Sequence, residues 1–302
     1  MENKLRFGPS GNSKIFYEAG YKHSVDAPKF CKEIGLSAYE YSFGRGFTMS
    51  LDTAKILGEN AKNNDILISI HAPYYINLAN ESDEMALKSY EYIKKGMEYI
   101  KFTCGRDLVV HLASCGKLDR KTALYLTDKR LDNCLKIIYD NGLNTCGKIC
   151  PETMGKYLQI GSYQEIIDFC SKDEILVPTF DFGHINCIMQ GGLKTSDDFK
   201  KIFDYSFEKI GNDKTKNCHI HFSKIEYSEK GEIKHLNLDD NIYGPEFEPL
   251  VKVIDEYKLT PTIISESKEK MMEDALKLKE IYDTCTKNQV WFDKWKLLCS
   301  LW

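Results

Sequence analysis

The sequence predicts an α/β fold, a (β/α)8 TIM barrel, on two observations. Strand-like and helix-like segments alternate eight times within 302 residues. The strand-like runs also end repeatedly in His, Asp or Glu, as barrel strands do where their C-terminal ends form an active face. A doubly wound sheet would share the alternation. It would often carry Gly-x-Gly-x-x-Gly after its first strand, and the turn here reads Gly8-Pro9-Ser10-Gly11-Asn12.

The expected strands are the apolar, β-rich runs Leu5–Gly8, Ala38–Phe43, Ile66–His71, Leu108–His111, Lys148–Glu152, Leu176–Asp181, Cys218–His221 and Thr262–Glu266. Between them, Met85, Ile93, Met97 and Ile100 fall on one face of a helix over Ser82–Phe102. Leu124, Leu131, Leu135 and Ile138 do the same over Leu124–Tyr139. Further helices are expected at Tyr163–Cys170, Phe199–Ile210, Phe247–Tyr257 and Met271–Tyr282. Asp26, Ser50, Ser82, Ser162 and Ser196 stand at N-cap positions, and Pro28 fits a first helical turn. No linker or low-complexity tract interrupts the pattern, which predicts one domain over 1–285. Residues 286–302, with all three tryptophans, form a last helix or an extension.

Apolar content of 42% and charged content of 28% are those of a soluble globular protein. No stretch approaches the ~20 apolar residues of a membrane helix. The N-terminus Met1-Glu2-Asn3-Lys4 lacks a signal-peptide pattern, so a cytoplasmic location is expected. Eleven cysteines, an odd number without Cys-x-x-Cys, do not read as a disulfide framework. Cys31, Cys170 and Cys187 are expected in the core. Cys150 and Cys218 lie near the candidate site but are expected to be small apolar residues rather than ligands. A net charge of −4 argues against a strongly basic nucleic-acid surface.

The strand ends supply the candidate site. They carry His71, His111, Glu152, Asp181 with His184 three residues on, His221 and Glu266, and His235 follows in the loop after strand seven. Imidazoles and carboxylates converging on one barrel mouth suit Zn²⁺, Mn²⁺ or Fe²⁺, and there are enough of them for more than one ion. Glu152, on a central strand, is best placed to bridge two ions. His219 is expected to face away from His221 and to be structural.

These residues resemble the endonuclease IV family, the apurinic/apyrimidinic endonucleases among the xylose-isomerase-like TIM barrels. His71-Ala-Pro-Tyr-Tyr-Ile-Asn77 is similar to the family's His-x-x-Tyr-x-x-Asn motif. Val110-His111, Glu152-Thr153-Met154-Gly155, Asp181-Phe182-Gly183-His184, His221 and Ser265-Glu266 resemble the others, with Leu112 where a proline is usual. The resemblance implies two or three zinc ions. His71, His111 and Glu152 would hold one. Glu152, Asp181, His221 and Glu266 would hold a second, and His184 and His235 a third. The family's Asp-x-His after strand seven reads Ile233-Lys234-His235 here, and His-x-Asn-Asp reads His221-Phe222-Ser223-Lys224. Glu226, Glu232 or Asp239 could replace the missing aspartate.

The implied activity is cleavage of DNA 5′ of abasic sites by a monomeric enzyme, with Glu152, Asp181 and Glu266 as catalytic groups. Tyr74 and Tyr75 match substrate-binding positions, and Arg45 after strand two is a third. Arg45, Lys117, Arg120, Lys156, Lys224, Lys230 and Lys268 are candidate phosphate contacts. Two other readings stand beside this one. One is a sugar isomerase or epimerase with one divalent ion. The other is a barrel that binds damaged DNA without cutting it.

Overall fold

The computed structural model describes residues 4–44 and 46–299, with the backbone alone over 288–299. The chain opens with β1 (Arg6–Pro9), α1 (Lys14–Glu18), α2 (Ala27–Glu33), β2 (Ala38–Ser42), α3 (Leu51–Asn64), β3 (Leu67–His71) and α4 (Asp83–Thr103). It continues through β4 (Asp107–Val110), β5 (Ala113–Ser114), α5 (Arg120–Asp140), β6 (Lys148–Pro151), β7 (Gln159–Ile160) and α6 (Tyr163–Cys170). Then come β8 (Thr179–Asp181), α7 (Phe182–Ile188), α8 (Ser196–Lys216), β9 (His219–Phe222), β10 (Lys224–Ser228) and β11 (Gly231–Leu236). The chain closes with α9 (Glu248–Tyr257), β12 (Thr262–Ser265) and α10 (Met271–Cys299).

Two parallel sheets, β1-β12-β9-β8 and β2-β3-β4-β6, form the barrel wall. Two seams join them. At one, Ser37 N–H donates to Phe7 O at 2.9 Å. A Cβ on Gly8 would lie 2.1 Å from Ala38 O, so only glycine lets β1 and β2 approach this closely. At the other, Ile149 bridges Leu176 and Glu152 bridges Thr179, both in parallel. Each of the eight expected runs overlaps a barrel strand. Two antiparallel pairs, β5–β7 and β10–β11, are additions on the loops that sequence periodicity did not indicate.

The main apolar core lies between wall and helices. Phe180, Phe182, Phe199 and Phe203, all fully buried, exemplify it. Inside the wall the packing is different. Two small apolar groups, Ala38/Leu67/Ile264 and Val109/Cys150/Val177, sit among buried polar side chains. Cys150 is thus packed as an apolar residue, and burial drives its thiol well above the ordinary range. The ten described cysteines are free.

Local signals set the helix starts. Ser50 Oγ accepts from Thr53 N–H at 3.1 Å. Ser162 and Glu165 form a capping box. Helix α8 departs from expectation: its cap is Thr195, one residue earlier than Ser196, because Asp198 completes a capping box with Thr195. Helix α10 runs past residue 285, and the side chains of Trp291 and Trp295, like Trp302, lie outside the described residues. Among the described residues no helix is long and apolar enough to cross a membrane.

Candidate metal centre

The strands deliver His71, His111, Glu152, Asp181, His221 and Glu266 to one rim of the barrel, and α7 adds His184. Glu152, wholly buried, is the hub. Its Oε2 lies 3.1 Å from His71 Nε2 and 2.9 Å from His111 Nε2. Its Oε1 lies 3.1 Å from His221 Nδ1, and Glu266 Oε2 lies 3.4 Å from the same nitrogen. Among the described residues three donor groups result at the rim, His71/His111/Glu152, Glu152/Asp181/His221/Glu266 and His184/Glu232/His235, and a fourth, Glu40/His219/His221, lies beneath them. Above them is a cleft of about 430 Å³, lined by Tyr74, Lys156, Gln159 and members of all three rim groups.

The rings are oriented from behind. His71 Nδ1 donates to Ala72 O at 2.8 Å and His184 Nδ1 to Thr153 O at 2.9 Å. His235 Nδ1 lies 2.9 Å from Ser223 Oγ. In each case Nε2 is left facing the cluster, the arrangement that fixes a ligand's tautomer.

The residues fit metal ions. Ion-pair separations of 2.9 to 3.9 Å within the groups bracket the ~3.4 Å expected between ligands at ~2.1 Å around a tetrahedral ion. Asp181 Oδ2 is buried without a hydrogen-bond partner. His184 Nδ1 is 3.4 Å from it, but that nitrogen's hydrogen goes to Thr153 O. A cation beside Glu152 would satisfy the orphaned oxygen.

Protonation behaves accordingly. Burial alone would depress His71, but the hydrogen bond and charge of Glu152 outweigh it and hold the ring at about 9. For His184 burial is overruled by Asp181 and Glu152, again to about 9. Burial lifts Asp181 to about 6, whereas Glu266, despite burial, is held near 2 by His221. Without metal, protons therefore occupy the positions that ions would take. His71 and His184 are raised from 6.5, so their stabilising contribution is complete below pH 6.5 and is lost as pH rises through about 9. Thermal melting of chelator-stripped protein is expected to fall by several degrees across that window. Zinc-loaded protein should not follow, because the metal takes the deprotonated rings.

The third group contains Glu232, which stands where the resemblance leaves an aspartate missing, rather than Glu226 or Asp239. The cause is a bulge. In the β10–β11 ladder Glu226 pairs with Lys234 but Tyr227 pairs with Glu232, so Ile233 is an extra residue. A regular strand would turn residues three apart to opposite faces. The bulge instead brings Glu232 Oε2 to 3.6 Å from His184 Nε2 and Glu232 Oε1 to 3.9 Å from His235 Nε2, while Ile233 points outward. Gly155 makes room, since a Cβ there would lie 2.7 Å from His184 Cδ2 and 2.9 Å from Glu232 Cβ.

Several expectations are corrected. His219 does not face away from His221. Residues two apart share a strand face, and both rings point into the barrel, each 3.0 Å from one oxygen of Glu40. Glu40 itself was missed; its signal was a lone carboxylate between Tyr39 and Tyr41 in an apolar run. Lys224 is unavailable to phosphate because it is buried and held by Asp240 O and Glu246 Oε1 at 2.7 and 2.8 Å. Arg120 is tied to Glu165. Lys117, Lys156, Lys230 and Lys268 are exposed. Tyr74 and Tyr75 are half exposed, with ring centroids 4.6 Å apart. Arg45 lies outside the described residues.

Known proteins bear on this centre. An uncharacterized protein of Methanocaldococcus jannaschii is 32% identical over 276 residues, 89% of this chain and 97% of its own. A probable endonuclease 4 of Ureaplasma urealyticum is 27% identical over 241 residues, 76% of this chain and 75% of its own. One from Staphylococcus carnosus is 28% identical over 165 residues, 53% of each chain. Among solved structures, a D-tagatose 3-epimerase-like protein superposes with a TM-score of 0.69 at 19% identity, over 94% of this chain and 97% of its own. Endonuclease IV from Thermus thermophilus gives 0.64 at 16%, over 94% and 99%. At such identities the likeness shows the fold alone. The family model for xylose isomerase-like TIM barrels matches residues 28–281, and the chain belongs to that family.

Proposed function

We propose that the chain is a metal-dependent phosphodiesterase that cuts DNA 5′ of abasic sites. One observation carries the reading: three donor groups, two of them sharing Glu152, lie along one open cleft. That is more than a single ion requires. Ions held there would polarise a phosphate, acidify a water and stabilise the leaving oxygen. Glu152 spans the first two groups, one carboxylate oxygen to each. Asp181 and Glu266 flank His221, where they orient the attacking water and accept its proton. Tyr74 and Tyr75, both half exposed, would enter the minor groove and hold the flipped abasic nucleotide, whose extrusion costs least where the base is missing. The relatives named probable endonuclease 4 support this reading.

Zinc-loaded protein is expected to nick a duplex carrying a tetrahydrofuran abasic analogue and to leave an undamaged duplex intact. No nicking with zinc, manganese or iron would refute the assignment. A second reading, a sugar epimerase, is favoured by one feature: the Glu152/Asp181/His221/Glu266 quartet alone suffices for one ion, with Asp181 near 6 in proton-transfer range. Epimerisation of a ketose by protein holding one ion per chain would establish it.

A further inference from the structure

Beneath the rim, a chain of buried polar groups crosses the inside of the barrel. His221 turns Nδ1 to Glu152 and Glu266, so its Nε2 points down, 3.0 Å from Glu40 Oε1. Glu40 Oε2 accepts from Ser69 Oγ at 2.8 Å and lies 3.0 Å from His219 Nε2. His219 Nδ1 lies 3.1 Å from Asp107 Oδ2, and Arg106 holds Asp107 and Thr262, each at 2.7 Å. β2 and β9 belong to different sheets and are not neighbours, so these contacts span the barrel interior. Glu40, His219 and His221 are wholly buried.

The contact between His221 Nε2 and Glu40 Oε1 is close but not aligned, and neither atom has another hydrogen-bond partner. An unprotonated Nε2 would set two lone pairs against each other in a dry interior. A proton therefore sits on Nε2. Nδ1 is hydrogen-bonded to Glu152 Oε1 at 3.1 Å, and an ion that displaced the proton of that bond would meet the Nδ1 lone pair. A cation held directly by Glu40, His219 and His221 is disfavoured. Both nitrogens of His219 are within hydrogen-bond distance of carboxylates, so both donate and no lone pair remains.

We propose that Glu40 is a positioning residue for the metal centre: it commits His221 to binding through Nδ1, and His219 and Asp107 lock Glu40 in place. The inference rests on the metal reading of the rim. Carboxylates that orient a ligating histidine in this way typically change metal affinity by 10- to 100-fold.

The test uses full-length, chelator-stripped protein titrated with zinc against a chromophoric chelator. Glu40→Gln is expected to weaken the ion bound by the His221 group ~10–100-fold and to leave the His184/Glu232/His235 ion within about threefold. Nitrogen NMR of zinc-loaded unmodified protein should show His221 protonated at Nε2 and metallated at Nδ1. Should the Glu40 variant not fold, His219→Gln, with an expected loss of about tenfold, decides in the same way. Unchanged affinity in the variant, or zinc on His221 Nε2, overturns the proposal alone. Failure of the unmodified protein to bind any ion overturns the metal reading, and this inference with it.

Discussion

Glu152→Gln is expected to empty two of the three donor groups at once and to reduce nicking by at least ~10²–10³-fold, the scale of losing one group that stabilises developing charge. The substitution keeps the side chain's shape, so it opens no cavity in a fully buried site. What it removes is charge. Glu152 is the common neighbour of His71, His111 and His221, at 3.1, 2.9 and 3.1 Å. An amide leaves one oxygen for two ions and turns an NH₂ donor towards imidazole nitrogens that must present lone pairs. Metal analysis of the variant beside single-turnover nicking checks this. Full metal content with lost activity would make Glu152 a catalytic group without a ligand role. Retained content and activity would remove it from the site.

The second large effect concerns Glu232. Glu232→Gln should release the His184/His235 ion alone, leaving the ions at Glu152 in place, with nicking reduced on the order of 10²-fold. Deleting Ile233 makes the opposite prediction. It removes the bulge residue and sets Glu232 two positions before His235, where ordinary strand alternation turns both inward. The deletion variant is expected to keep its third ion. If it loses that ion as completely as Glu232→Gln does, the bulge is not what recruits the carboxylate.

These residues also show what sequence could and could not convey. Strand ends were legible because an apolar run that stops on a ligand-type residue marks both the wall and the rim. His71, His111, Glu152, Asp181, His221 and Glu266 were found that way. Glu232 could only be one of three candidates, because a bulge depends on the register between β10 and β11, which no local pattern fixes. His219 was assigned to the wrong face although period-two alternation already put it on the face of His221. Glu40 lay mid-strand, away from the ends where ligands were sought. A carboxylate between two tyrosines in an apolar run, with a second histidine two residues before His221, was nevertheless a readable sign of a polar barrel interior. Lys224 shows the reverse limit: a charged residue after a strand reads as solvent-facing, and the partners that bury it, Asp240 and Glu246, follow 16 and 22 residues later in the chain.

The most direct test is the metal content of protein purified without chelator, measured by elemental mass spectrometry per chain. Three donor groups, two of them sharing Glu152, predict three equivalents of zinc, or of manganese or iron in its place, falling to two in Glu232→Gln. One equivalent or none would contradict a shared cluster. It would leave at most a single-ion site at Glu152, Asp181, His221 and Glu266.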